Sequence, residues 1–160
     1  MKLMTVGYEG LHVQEFIQIL KNSKVNLLID VRELPLSRKK GFSKTALSEL
    51  LLRNNIEYKH LRDLGCPRQI RHDYRTDGNW DKYTKRFTDY LNTQDNAIEH
   101  LNILTSKLTC CLLCFEANAQ LCHRSLVAEQ LRQQRNKSIE IVHLRINQTM
   151  TSAVGVARPL

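Results

Sequence analysis

The sequence predicts an α/β fold, a single three-layer domain with a mainly parallel five-stranded sheet and helices on both faces. Three observations predict it. Short apolar runs alternate with segments of helical periodicity along nearly the whole chain, which is the pattern of successive βα units. Two of the runs, VNLLIDV at 25–31 and LTCCLLCF at 108–115, are almost continuously apolar, as strands buried on both faces are. And 160 residues suffice for one core without a disulfide framework or structural metal. Right-handed crossovers are expected; the order of the strands is not readable.

The elements follow in order. Residues 2–6 form a first strand that ends at Gly7. Val13, Phe16, Ile17 and Leu20 recur at the spacing of one helix face. Residues 25–31 form the second strand, and a basic loop follows at 32–41. Ser43 is placed to cap a helix whose inner face is Leu47, Leu50 and Leu51. Residues 56–61 alternate and are read as a third strand. Residues 62–80 lack periodicity and are read as a long loop, functional or mobile. Helices are expected at 80–91 and 96–104, a fourth strand at 108–115, and a helix at 125–135 with Leu126, Val127, Gln130 and Leu131 inward. A last strand is expected at 139–144. Residues 1–147 are read as the domain and 148–160 as a loose tail, polar and without pattern.

Composition narrows the function classes. Hydrophobic residues are 42% and charged residues 25%, ordinary for a globular protein. No apolar run reaches the length of a membrane span, so no membrane association is expected. MKLMTVGYEG lacks the apolar core of a signal peptide. Five cysteines are therefore read as reduced thiols of a cytoplasmic protein. The formal net charge of +8 favours an anionic partner, meaning a phosphate-bearing ligand, nucleotide or nucleic acid. Oligomeric state is open.

The residues with chemistry fall at the seams between elements. Gly7, Tyr8, Glu9 and Gly10 follow the first strand; they suit a plain turn or a close backbone approach, without dinucleotide-fingerprint spacing. Asp30 and Arg32 end the second strand on one side of it. They suit either a shared ligand or an ion pair, with Arg38, Lys39 and Lys40 just downstream. Cys110 and Cys111 are read as core. Cys114 and Glu116 close the fourth strand, and Cys122, His123 and Arg124 open the next helix. A thiol near a helix N-terminus and an arginine is acidified, so Cys114 or Cys122 suits a nucleophile or a metal ligand. The alternative packs Cys122 inward with His123 capping the turn. Zinc is set aside, because Cys114–x7–Cys122–His123 lacks a cysteine knuckle and adjacent residues reach one ion poorly. No metal or other cofactor is expected.

TVGYEG, LLIDVRELPLSRKKGFSK, IEYKHLRDLGCPR and CLLCFEANAQLCHRSLVA together resemble the domain-of-unknown-function 488 family. The resemblance spans roughly residues 4–131, most specifically D-V-R before P-x-S-R and C-x-E before C-H-R. It implies a compact α/β domain with signature positions Gly7, Asp30, Arg32, Arg38, Cys114, Glu116, Cys122, His123 and Arg124, and it supplies no reaction. A fainter likeness to rhodanese-like sulfurtransferases rests on D-V-R and on a cysteine loop reaching Arg124-Ser125. Glu116 departs from it by placing a carboxylate in that loop.

The functional expectation has two parts. Strand ends one, two and four converge on a pocket at their carboxyl side, rimmed by Arg38 and residues 62–75, where Arg32, Arg38 and Arg124 hold phosphate. Within it Glu116, kept ionised by His123 and Arg124, serves as base or nucleophile, with Cys114, Cys122 and His123 beside it. The alternatives are that Glu116 only holds Arg124, and that the domain is a non-catalytic nucleic-acid-binding module.

Overall fold

The computed structural model describes residues 1–145; the expected tail at 148–160 lies outside them. Five strands form one sheet: β1 (Lys2–Gly7), β2 (Leu27–Asp30), β3 (Glu57–His60), β4 (Cys110–Cys114) and β5 (Glu140–Leu144). All neighbours pair parallel, in the order β3-β2-β4-β1-β5. β4 is central, and every one of its residues is buried. Cys110 and Cys111 are core, as read, and point to opposite faces of the sheet.

Among the described residues six helices cover it: α1 (Val13–Asn22), α2 (Lys44–Arg53), α3 (Arg68–Asp77), α4 (Trp80–Leu91), α5 (Asp95–Lys107) and α6 (His123–Gln134). α1 and α2 pack on one face through Phe16, Ile17, Leu20, Leu47 and Leu51. α3 to α6 pack on the other through Ile70, Phe87, Leu91, Leu101, Val127 and Leu131. The chain moves outward from β1 to β3 and then back to β4 and β5. Right-handed crossovers require that reversal to change faces, and the result is three layers. No helix among the described residues is long and apolar enough to cross a membrane.

One expected element is corrected. Residues 62–80 are not one irregular loop but a 3-10 turn at Arg62–Leu64, then α3 and the start of α4. α3 carries Arg68, Arg71, His72, Asp73, Arg75 and Asp77, and buries only Ile70, so it shows no apolar stripe. Its signals are terminal instead. Pro67 precedes it and Gly78 closes it at φ 61°, the left-handed conformation that glycine adopts without strain. Ser43 does stand at the N-cap of α2, but its hydroxyl bonds Ser37, not the helix amides.

Candidate functional site

Because β4 lies between β2 and β1, the carboxyl ends of these three strands stand side by side. Beyond them β1 and β4 stay joined. The Glu9 amide donates to the Phe115 carbonyl over 2.8 Å, and the Ala117 amide donates to Glu9 Oε1 over 3.0 Å. Gly7 makes this possible, since a Cβ there would lie 1.8 Å from the Glu116 carbonyl oxygen.

A cleft of about 500 Å³ opens over these ends, within the usual size of small-ligand sites. Its floor is Cys114, Glu116 and His123 with Tyr8 and Arg32. One wall is aromatic and basic: Arg71, Tyr74 and Arg75 of α3, and Trp80 and Tyr83 of α4. Trp80 and Tyr83 stack at 4.7 Å, and Tyr74 stands against both. Leu34, Leu36, Phe115 and Leu121 form its lips and are exposed. From the stretch 62–75 the lining takes Cys66, Arg71, Tyr74 and Arg75. Gly7, Glu9, Asp30, Arg38, Cys122 and Arg124 do not line it; Cys122 is buried just behind the floor.

Two of the arginines assigned to phosphate are engaged inside the protein. Arg32 donates Nε to Asp30 Oδ1 at 2.9 Å and Nη2 to Oδ2 at 2.7 Å, and gives Nη1 to the Phe42 carbonyl and Tyr8 hydroxyl. Burial disfavours its charge, but the bonds to Asp30 outweigh that and raise its pKa. Arg124 is fully buried. Its Nε donates to Thr5 Oγ1 at 3.0 Å, and its Nη groups donate to Cys114 Sγ and the carbonyls of Glu116 and Ala117. Arg38 is exposed. Besides Arg32, whose guanidinium is taken up by Asp30, the arginines lining the cleft are Arg71, paired with Glu33 at 2.6 Å, and the exposed Arg75.

The Cys/Glu/His group is tight. Cys114 Sγ and Cys122 Sγ each lie 3.3 Å from Glu116 Oε2, and His123 Nδ1 is 3.9 Å from Cys122 Sγ. The two sulfurs touch as in a disulfide, with Cα atoms 7.7 Å apart, whereas Cys66, Cys110 and Cys111 are free. One ligand atom from each of Cys114, Glu116, Cys122 and His123 lies within 4.8 Å of all the others. So Cys122 and His123, though adjacent, do face one point. The backbone is extended at Cys122, with φ −137° and ψ 141°, and turns helical at His123, which brings both side chains to the same side.

Loss of water shifts two groups of the floor, His123 downward and Glu116 upward. His123 is pushed down to about 4 by burial, so it is neutral at neutral pH. Its Nε2–H donates to the Val31 carbonyl at 2.7 Å. Glu116 is shifted up, not down: loss of water around its carboxylate outweighs Arg124 and Arg71. Desolvation, rather than the cations expected to keep it ionised, thus sets the direction of its shift. His123 supplies no charge, and the Arg124 guanidinium bonds the Glu116 carbonyl rather than its carboxylate.

The aromatic wall was the part sequence reasoning missed. Trp80, Tyr83 and Phe87 repeat at one helix face and suit a core; the sign that they do more is their position directly after the arginine-rich α3.

Compared with known families, residues 12–131 match a family described as Domain of unknown function DUF488. No curated protein and no solved structure matches the chain.

Proposed function

The chain belongs to the DUF488 family, and from the cleft over its strand ends we propose that it binds a phosphate-bearing small ligand of the nucleotide class and acts on it with the Cys/Glu/His floor. One observation carries this reading. The stacked Trp80–Tyr83 pair and the arginines Arg71 and Arg75 share one wall of a ligand-sized cleft. A flat ring stacks on the first, worth about 1–3 kcal/mol per base, and phosphate oxygens pair with the second. The phosphate contacts thus move from Arg32 and Arg124 to α3. Glu116, at the floor and in contact with both sulfurs, is the group placed to take or give a proton.

A non-catalytic nucleic-acid-binding module is the second reading. The net charge of +8 and the exposed Arg62, Arg68 and Arg75 favour it. Sulfur transfer is not proposed, because the Sγ atoms on which a persulfide anion would be built each lie 3.3 Å from the Glu116 carboxylate, whose charge would oppose it.

Titration of labelled oligonucleotides and of mononucleotides at two salt concentrations separates the readings. A nucleotide pocket binds the mononucleotide and loses little affinity with salt. A backbone-binding module ignores the mononucleotide and weakens steeply, in proportion to the phosphates neutralised. No binding of either at low salt overturns both.

A further inference from the structure

We propose that Cys114, Cys122, His123 and Glu116 hold one thiophilic divalent cation of the zinc class on the cleft floor, with the two cysteines and His123 Nδ1 as fixed ligands and Glu116 at an exchangeable fourth position. This does not rest on the nucleotide reading, because the site is complete without any organic ligand.

The donors already surround one point. Their ligand atoms lie within 4.8 Å of one another. A tetrahedral ion with bonds of about 2.0–2.3 Å separates its ligands by roughly 3.3–3.8 Å, so the two sulfurs, in bonding contact here, must be reduced and part by side-chain rotation to seat it. Two soft sulfurs, an imidazole and a carboxylate are the donor types zinc selects over magnesium or calcium.

The surroundings are those of a metal ligand set. A ligating histidine typically gives its other N–H to a carbonyl, fixing the tautomer and aiming the lone pair. His123 does this with Val31 at 2.7 Å, which leaves Nδ1 as the acceptor on the Cys122 side. The ring is further held edge-on to Phe87 at 5.5 Å. The Cys114 sulfur receives a charge-assisted bond from Arg124 Nη1 at 3.3 Å, of the kind that steadies a bound thiolate.

Geometry also weighs against a disulfide as the pair's resting state. The Cα atoms of Cys114 and Cys122 are 7.7 Å apart, wider than the roughly 4.4–6.8 Å that disulfides span. A metal bridge between two sulfurs accommodates that spacing. Two thiolates and a carboxylate at one place also need positive charge, and Arg124 spends most of its donors on Thr5 and two carbonyls. Cys114, Cys122 and His123 are buried on a strand end and a helix start, whereas Glu116 sits on an exposed loop. Three anchored ligands and one replaceable position describe a reactive site more than a closed structural one. On loading, the ion replaces the proton of each thiol, so up to two protons leave per ion and affinity falls with pH.

The test uses the full chain, purified under reductant and loaded with Co²⁺ and then Zn²⁺. The expected result is one ion per chain by elemental analysis. The cobalt form shows thiolate-to-cobalt charge-transfer and tetrahedral d–d bands, which zinc abolishes. Cys114→Ser and Cys122→Ser each weaken binding by well over about tenfold and lose the charge-transfer intensity. Glu116→Gln keeps the ion but shifts the d–d bands, and Cys110→Ala, which removes a thiol from the same strand, changes neither. Because a ligand variant can misfold, the wild-type spectrum decides. No stoichiometric ion in the reduced wild-type chain, or a cobalt spectrum without sulfur bands, overturns the proposal. So does a Cys114–Cys122 disulfide that, once reduced, still takes up no ion. Nucleotide binding without metal uptake sinks this inference alone, and metal uptake without nucleotide binding sinks the other.

Discussion

Asp30 holds Arg32 through both carboxylate oxygens, at 2.9 and 2.7 Å, in a pair almost wholly out of water. The Arg32 amide and the Tyr58 hydroxyl also donate to Asp30, at 3.1 and 2.5 Å, and the Arg32 carbonyl accepts from His60 Nε2 at 2.7 Å. The pair thus ties β2 to β3 and to the floor of the cleft. Removing one partner leaves a buried charge uncompensated. Asp30→Ala and Arg32→Ala are each expected to cost about 3–5 kcal/mol in chemical denaturation. Arg32→Lys is expected to recover little, because lysine cannot supply the fork. A loss under about 1 kcal/mol for Arg32→Ala would mean that the pair is not structural.

Gly7→Ala tests the joint between β1 and the Glu116 loop. The added methyl would lie 1.8 Å from the Glu116 carbonyl oxygen, and the contact is backbone, so the loop itself must move. Overpacking of this kind costs about 1–3 kcal/mol. The expected outcome is a lower melting temperature together with weaker ligand binding. Unchanged binding would show that the position of the loop does not matter to the site.

Cys66 lines the cleft yet is 1% exposed, and burial pushes its thiol up to about 11. The thiol is protonated below that value, and the thiolate is the nucleophile. Alkylation by iodoacetamide, mapped by mass spectrometry, is expected to be slow at pH 8 and to accelerate as pH rises toward 11. Rapid labelling at pH 7 would contradict this placement.

Glu116→Gln keeps the shape of the side chain and removes its proton chemistry. With any ligand found to be turned over, the rate is expected to fall about 10²–10⁴-fold, with affinity changed only a few-fold. A near wild-type rate would retire Glu116 as the acid–base group and favour the binding-module reading.

Strands β1, β2 and β4 were legible as apolar runs of strand length, β3 by its alternation, β5 as a short stretch rich in branched apolar residues, and α1 because its buried face repeats at helical spacing. α3 was not, since a helix that buries only Ile70 leaves no stripe to read. The seams were legible as well, because Cys114, Glu116, Cys122 and His123 sit where a strand ends and a helix begins. What those side chains face was not. Arg124 reads as a phosphate ligand until Thr5, 119 residues away, is seen to accept from it. Arg32 and Asp30 read equally as ligand groups or as an ion pair, and their pairing with each other, with Tyr58 and with Phe42 rests on contacts remote in sequence. The convergence of Cys122 and His123 on one point depends on a one-residue change from extended to helical backbone, which adjacency alone conceals.

Trp80 is the single tryptophan of the chain and stands on the cleft wall, so its fluorescence reports occupancy of the proposed site. Titrating a nucleoside monophosphate into the wild-type protein is expected to quench it along a saturable one-site curve. Arg75→Glu is expected to weaken that curve at least about tenfold, as loss of a charge-assisted phosphate contact and its replacement by a like charge should. No saturable change in Trp80 emission, or a curve that Arg75→Glu leaves unchanged, would contradict the assignment of this cleft to a phosphate-bearing ligand.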